Sequence, residues 1–137
     1  VAVDGRGLPL SIVLTPGNVN DCTAFGQVLA AIAVPRHGSG RPRCRPDRVI
    51  ADKAYSSAAI RRSLRARGIA ATIPERGDQQ AGRARRGSRG GRPPLFDPAL
   101  YKRRNVVERC IGRLKQWRGI ATRYDCEDER VPPRVVV

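Results

Sequence analysis

The sequence predicts an α/β domain, a mixed sheet flanked by helices, and three patterns carry that reading. Residues Leu8 to Thr15 alternate in hydrophobicity behind an Asp-Gly turn. Between residues 48 and 73 an apolar run, a helical period and a second apolar run follow one another, and residues 98 to 117 carry a long amphipathic period.

The elements follow in chain order. Val1, Ala2 and Val3 run into Asp4-Gly5-Arg6-Gly7, where the glycines supply the positive φ that a hairpin turn needs. Beyond the turn Leu8, Leu10, Ile12 and Leu14 share one side and Pro9, Ser11, Val13 and Thr15 the other, which is a strand's period. Pro16-Gly17-Asn18 ends that strand, and Asn20 or Asp21 can cap a helix over about residues 21–33, with Phe25, Val28, Leu29 and Ile32 on one face. A chain that starts inside a strand is expected to be cut from something longer.

Pro35 to Pro46 reads as a basic, Pro-broken connection. Arg48-Val49-Ile50-Ala51 is a short apolar strand that ends on Asp52. Ser56 or Ser57 caps the next helix, in which Ile60 and Leu64 face the core and Arg61, Arg62, Arg65 and Arg67 face outward until Gly68 stops it. Ile69 to Ile73 returns as a strand, so the segment has the parts of a parallel crossover. From Pro74 to Pro94 apolar side chains nearly vanish, and residues 74–96 are expected to form a flexible basic loop. Arg83, Arg85 and Arg86, with Arg89 and Arg92, suit an arm that orders on DNA; the same composition suits an inert surface loop. Asp97 and Pro98 then cap a helix of about residues 98–117.

Composition bounds the function. The 137 residues allow one modest domain, at about 100–200 residues each. Net charge is +15, and 24 of the 27 basic side chains are arginine. Arginine's planar fork of donors matches phosphate oxygens, and releasing counterions from a polyanion drives association, so nucleic acid is the expected partner and a membrane surface a weaker one. No run approaches the roughly 20 apolar residues that span a bilayer, and no leader pattern opens the chain, so a cytoplasmic, nucleoid-associated protein is expected. Cys22, Cys44, Cys110 and Cys126 are widely spaced and His37 is the single histidine. That pattern speaks against structural zinc and for reduced thiols.

On the last helix Tyr101, Arg104, Glu108 and Lys115 fall in a polar stripe about 60° wide at about 100° per residue, beside an apolar stripe of Leu100, Val107, Ile111 and Leu114. Spacing alone favours the plainer reading, an i, i+4 salt bridge between Arg104 and Glu108. The pattern Tyr101-x2-Arg104-x3-Glu108-x6-Lys115, however, resembles the signature helix of DDE transposases of bacterial insertion sequences, in the superfamily of insertion sequences four and five. Arg113-Leu-Lys115-Gln-Trp117-Arg118 and Ile120-Ala-Thr-Arg123-Tyr124-Asp125 are similar to the same family. Val49-Ile50-Ala51-Asp52-Lys53-Ala54-Tyr55 resembles its second-aspartate motif, and Gly7-Leu-Pro9-Leu with Thr15-Pro16-Gly17-Asn18 and Asp21 its earlier segments.

The resemblance covers most of residues 1–125 and implies a ribonuclease-H-like domain. It implies Asp52 and Glu108 as catalytic, metal-holding carboxylates, and Tyr101, Arg104 and Lys115 as residues that hold DNA. Hard carboxylate oxygens suit Mg²⁺ or Mn²⁺, and two ions in the intact family site would serve phosphodiester hydrolysis and strand transfer. The implied partners are double-stranded DNA, at transposon ends and target, with room for a homo-oligomer in the synaptic complex. Trp117 reads as a packing anchor at the helix end.

Two departures shape the expectation. The family's first catalytic aspartate lies on a strand ahead of the opening hairpin, and Asp4 and Asp21 read as a turn residue and a helix cap rather than its replacement. The domain is therefore expected to be incomplete, lacking its first strand, and this chain alone to be inactive. Residues 126–137 bear no resemblance to the family, Pro132-Pro133 forbids a helix there, and an unstructured tail is expected. A non-catalytic, arginine-rich DNA-binding protein derived from a transposase is the alternative. A ribosomal or RNA-packaging protein is a third.

Overall fold

The computed structural model describes residues 1–16 and 18–116 and the backbone of residues 133–135. The chain divides into two compact units, Val1–Arg45 with Asn105–Val137 and Pro46–Arg104.

In the first unit β1 (Ala2–Val3) pairs antiparallel with β2 (Pro9–Ser11) across the Asp4–Leu8 turn. Asp4 organises that turn: its Oδ1 accepts from the amides of Arg6 at 2.8 Å and Leu8 at 2.9 Å, and these hydrogen bonds hold its carboxyl below the usual carboxylate range. Gly7 takes φ +91, the left-handed geometry expected of a glycine in this turn. The expected strand over Leu8–Thr15 is broken at Ile12–Val13, and β3 (Leu14–Pro16) pairs instead with β6 (Pro133–Val135). Residues 133–135 thus form a strand inside a tail expected to be unstructured. The ladder stops where Pro16 faces Pro133, since neither has an N–H to donate.

The alternation in this segment is real, but its apolar side is the outer one. Leu8, Ile12 and Leu14 are exposed while Ser11 and Thr15 are buried. Ser11 donates its hydroxyl to the Val28 carbonyl at 2.7 Å, which satisfies it. The helix expected over residues 21–33 is a 3₁₀ turn (Asp21–Ala24) followed by α1 (Phe25–Ala30). Asn20 is its cap, accepting from the Cys22 amide at 3.0 Å. Leu29, Ile32, Ala24 and Cys110 form the core of this unit. Here α5 (Asn105–Gln116) packs against β1.

In the second unit β4 (Arg48–Ile50) pairs parallel with β5 (Ala70–Thr72), in register from Arg48 opposite Ala70 to Ile50 opposite Thr72. Between them runs α2 (Ala58–Ala66), capped by Ser57, whose Oγ accepts from the Ile60 amide at 3.1 Å, and ended at Gly68 with φ +65. Ile60 and Leu64 are buried with Tyr55, Ile69 and Ile73, each burial contributing about 1.5–3 kcal/mol. The strand, helix and parallel strand match the sequence reading. Among the described residues, however, the strands form three two-stranded ladders, one parallel and two antiparallel, and not one mixed sheet. With two or three residues per strand, each ladder is too short to carry itself; β1–β2 leans on α5 and β4–β5 on α2.

The expected flexible loop at 74–96 is corrected as well. Residues Gly77–Arg85 form α3, followed by a 3₁₀ turn over Gly87–Gly90. Tertiary partners supply what composition lacks. Gln79 accepts from the Ser56 hydroxyl at 2.8 Å and donates to the Ser56 carbonyl, while Arg83 pairs with Glu75, whose side chain is 15% exposed. Gly90 packs on the Arg83 backbone so closely that a Cβ there would collide with it. The last helical stretch begins at α4 (Pro98–Tyr101), capped by Asp97 through the Ala99 and Leu100 amides, and passes through a 3₁₀ turn at Lys102–Arg104 before α5.

Two predictions follow from these contacts. Thr15 Oγ1 is buried with no hydrogen-bond partner among the described residues, so Thr15→Val is expected to raise unfolding free energy by about 1 kcal/mol in urea titration; a loss of stability would count against a lone hydroxyl. The Arg83 guanidinium holds the Glu75 carboxyl below its usual range. That stabilisation is present above the ordinary carboxylate value and disappears as pH falls through the depressed one. Between pH 6 and pH 3 the wild type is expected to lose more stability than Glu75→Gln, and parallel losses would contradict the ion pair's role.

Candidate functional site

Asp52 is delivered by the apolar β4 run. Two residues past Ile50 the chain turns, with Asp52 at φ −67, ψ 161 capping a 3₁₀ turn over Lys53–Tyr55; its Oδ1 accepts from the Lys53 amide and its carbonyl from the Tyr55 amide at 2.9 Å. One carboxylate oxygen is thereby tied to the backbone. The other, Oδ2, lies 4.0 Å from Arg104 Nη1, and the two side chains are 44% and 27% exposed. At that distance and exposure the pair is a weak attraction rather than a hydrogen bond.

Arg104 is placed from its other side by Tyr101, with the guanidinium carbon 5.8 Å from the ring centroid, a cation–π contact of about 0.5–1 kcal/mol. Tyr101 in turn leans on Phe96, their rings 5.4 Å apart and tilted by 56°. Phe96 precedes the Asp97 cap and Tyr101 is the fourth helical residue, the positions of a hydrophobic staple. Phe96 is the site residue that the sequence reading passed over, although an apolar residue directly before an Asp-Pro cap was the available signal. Asp52, Arg104 and Tyr101 thus come together: a carboxylate beside a forked donor whose guanidinium carbon lies over an aromatic face. That set of groups can meet a cation and a phosphate side by side.

Glu108 and Lys115 stand exposed on α5, in the other unit. The uniform 100° per residue behind the expected stripe fails at Lys102–Arg104, because a 3₁₀ turn advances about 120° per residue. Cys110 is buried, and Leu100, Val107, Ile111 and Leu114 are half-buried, as the apolar stripe requires. Of the three arginines expected to touch DNA from the basic segment, Arg83 is engaged by Glu75 and Arg86 Nε donates to the Gly82 carbonyl at 3.1 Å, while Arg85 stands exposed. Trp117, the residues from Arg118 to Asp125, and Cys126 lie outside the described residues.

Asp52 offers the hard oxygen that Mg²⁺ prefers, but among the described residues no three His, Cys, Asp or Glu side chains gather to hold a metal ion. No described helix is long and apolar enough to cross a membrane.

Comparison with known proteins meets this geometry. The chain is 36% identical over 125 residues to a Burkholderia cepacia protein that carries the name of transposase for insertion sequence element IS402; the alignment covers 91% of this chain and 52% of that protein. It is 32% identical over 129 residues to a Brucella ovis protein named likewise for insertion sequence element IS6501, covering 91% of this chain and 78% of that one. The chain therefore spans about half the length of the first relative. No solved structure matches it. Residues 1–131 match the family described as the transposase DDE domain, and with these two relatives beside it the chain belongs to the DDE transposases.

Proposed function

We propose that the chain is the DNA-handling and part of the metal-binding portion of an insertion-sequence transposase, folded as a partial ribonuclease-H-like domain. The observation that carries this reading is the Asp52–Arg104–Tyr101 cluster, which sets a part-exposed carboxylate beside a guanidinium that lies over an aromatic ring. The family implies a nuclease and transposition activity and generally uses divalent metal ions. In this reading Asp52 and Glu108 are the chain's own oxygen donors to Mg²⁺ or Mn²⁺, and the bound ion would supply charge neutralisation at the phosphate. Arg104 and Lys115 neutralise DNA phosphates, Tyr101 orients Arg104, and Arg85 with the other exposed arginines of the α3 segment extends the basic surface.

Two carboxylates leave a pair of cations and a phosphate under-neutralised, so the 137-residue chain by itself is expected not to cleave DNA. The intact enzyme would bind transposon ends and carry out cleavage and strand transfer, and its synaptic complex has room for a second copy. A second reading, a non-catalytic DNA-binding protein derived from a transposase, is favoured by the +15 charge.

Mn²⁺ titration separates the two. Asp52→Asn is expected to weaken Mn²⁺ binding by more than about tenfold, a loss already typical of a ligand's supporting partner, and Glu108→Gln to do the same. Binding equal in wild type and Asp52→Asn would leave only the DNA-binding reading. Arg104→Gln is expected to weaken binding to a DNA duplex and to lower the slope of log affinity against log salt by about one, as for a single phosphate contact. A slope unchanged by Arg104→Gln would remove that arginine from the interface.

A further inference from the structure

The first unit holds a groove that the cluster around Asp52 does not use. It has a volume of about 480 Å³ and is lined by Arg6 from the β1–β2 turn and by Val106, Arg109, Gly112, Arg113 and Gln116 from α5. Among the described residues, three guanidinium groups and one amide converge on the cleft, with Val106 the apolar side chain on its wall.

Charge is the first oddity. Arg109 and Arg113 are four residues apart, so they sit one above the other on the same helix face, an arrangement that costs a helix stability when both carry the same sign. Among the described residues no ion pair joins a carboxylate to Arg109 or Arg113. Asp4 is a carboxylate close to this set, its Oδ1 accepting from the Leu8 and Arg6 amides, and one carboxylate does not balance three guanidinium groups. An anionic ligand would neutralise this convergence.

The glycines are the second. Gly112 lies in the interior of a twelve-residue helix, where glycine costs conformational entropy, yet a Cβ placed there would meet nothing within 4 Å. Packing within the described residues therefore gives no reason for it, while its missing side chain keeps the floor of the groove open. Gly7 shows the opposite. It is buried at φ +91, and a Cβ there would lie 2.8 Å from Arg113 Nη2 and 3.3 Å from Val106 Cγ1. The turn thus lets the Arg113 guanidinium lie against bare backbone, which limits where its donors can point.

We propose that this groove binds the phosphodiester backbone of DNA, with Arg6, Arg109 and Arg113 neutralising successive phosphates over the open floor at Gly112. Four residues of helix rise by about 6 Å, which is one to two nucleotide steps along a strand whose charges repeat about every 3.4 Å of duplex axis. The inference rests on the DNA-binding reading above and adds to it a contact surface that includes none of Tyr101, Arg104 or Lys115.

The test uses the full chain and a labelled 20-base-pair duplex, with anisotropy titrations across a range of NaCl concentrations and circular dichroism to follow folding. The Arg109→Gln, Arg113→Gln double variant is expected to lower the log–log salt slope by about two and to weaken binding by about tenfold per arginine at 0.1 M salt. Gly112→Glu, which the open space accommodates, is expected to weaken duplex binding with the helix signal retained, and Gly112→Ala to bind like wild type and melt higher. A wild-type salt slope in the double variant, or wild-type affinity in Gly112→Glu, overturns the groove. If Arg104→Gln weakens the duplex while those variants do not, the groove alone falls; if the wild type binds no duplex, the DNA-binding reading falls and takes the groove with it. A poly-glutamate peptide that binds as tightly as the duplex and is released by the same variants would assign the groove to an acidic protein segment and overturn the proposal.

Discussion

The parallel pairing of β4 with β5 is the constraint on which the Asp52 end of the second unit depends. Parallel strands cannot be joined by a tight turn, so the chain must leave β4, cross over and come back, and α2 is that crossing. Three paired residues are too few to hold such a ladder in water. It is held by the buried faces of Ile60 and Leu64 and by Arg61, whose Nη2 donates to the Ser56 hydroxyl at 2.9 Å and to the Ile73 carbonyl at 2.8 Å. One arginine thus ties the start of the crossover to its end. The turn that presents Asp52 lies between β4 and that tie, so its geometry inherits the rigidity of the whole crossover.

Arginine does two kinds of work in this chain. Arg61 and Arg83 are part-buried and satisfy carbonyls or a carboxylate, replacing hydrogen bonds that short strands and a polar helix cannot supply. Arg104 stands between the two kinds, held on an aromatic face beside a carboxylate. Arg85, Arg109 and Arg113 are exposed. A net charge of +15 repels itself in the folded state, and the structure tolerates it by giving the inner arginines specific acceptors and leaving the outer ones to solvent and counterions.

The α3 segment shows how composition misleads when a helix draws its stability from elsewhere. Its residues are polar and small, with no buried side chain, and nothing in Gly77–Arg85 would fold by itself. Gln79 reaches Ser56 and Arg83 reaches Glu75, both outside the helix, and Ser56 comes near only once the β4–α2–β5 crossover has formed. The Leu8–Thr15 segment errs in the complementary way. Period-two alternation identifies a strand but says nothing of which side faces inward; the Ser11 hydroxyl, by finding the Val28 carbonyl, makes the polar side buriable.

Local chemistry determined a good deal without help. Capping residues Asn20, Ser57 and Asp97, the stop at Gly68, the Asp-Gly turn, the β4–α2–β5 order and Asp52 at the end of an apolar run all follow from side chains that interact with backbone a few residues away, and such interactions can be read along a chain. Phe96 belonged to the same class. What only the tertiary structure decided concerns groups far apart in sequence: Arg104 beside Asp52, Gln79 on Ser56, the pairing of residues 133–135 with β3, and Arg6 sharing a groove with Arg109 and Arg113. A guanidinium has the same pattern of donors wherever it stands, so its role is set by which acceptor the fold brings within reach, and that depends on the closure of long loops rather than on the residues beside it.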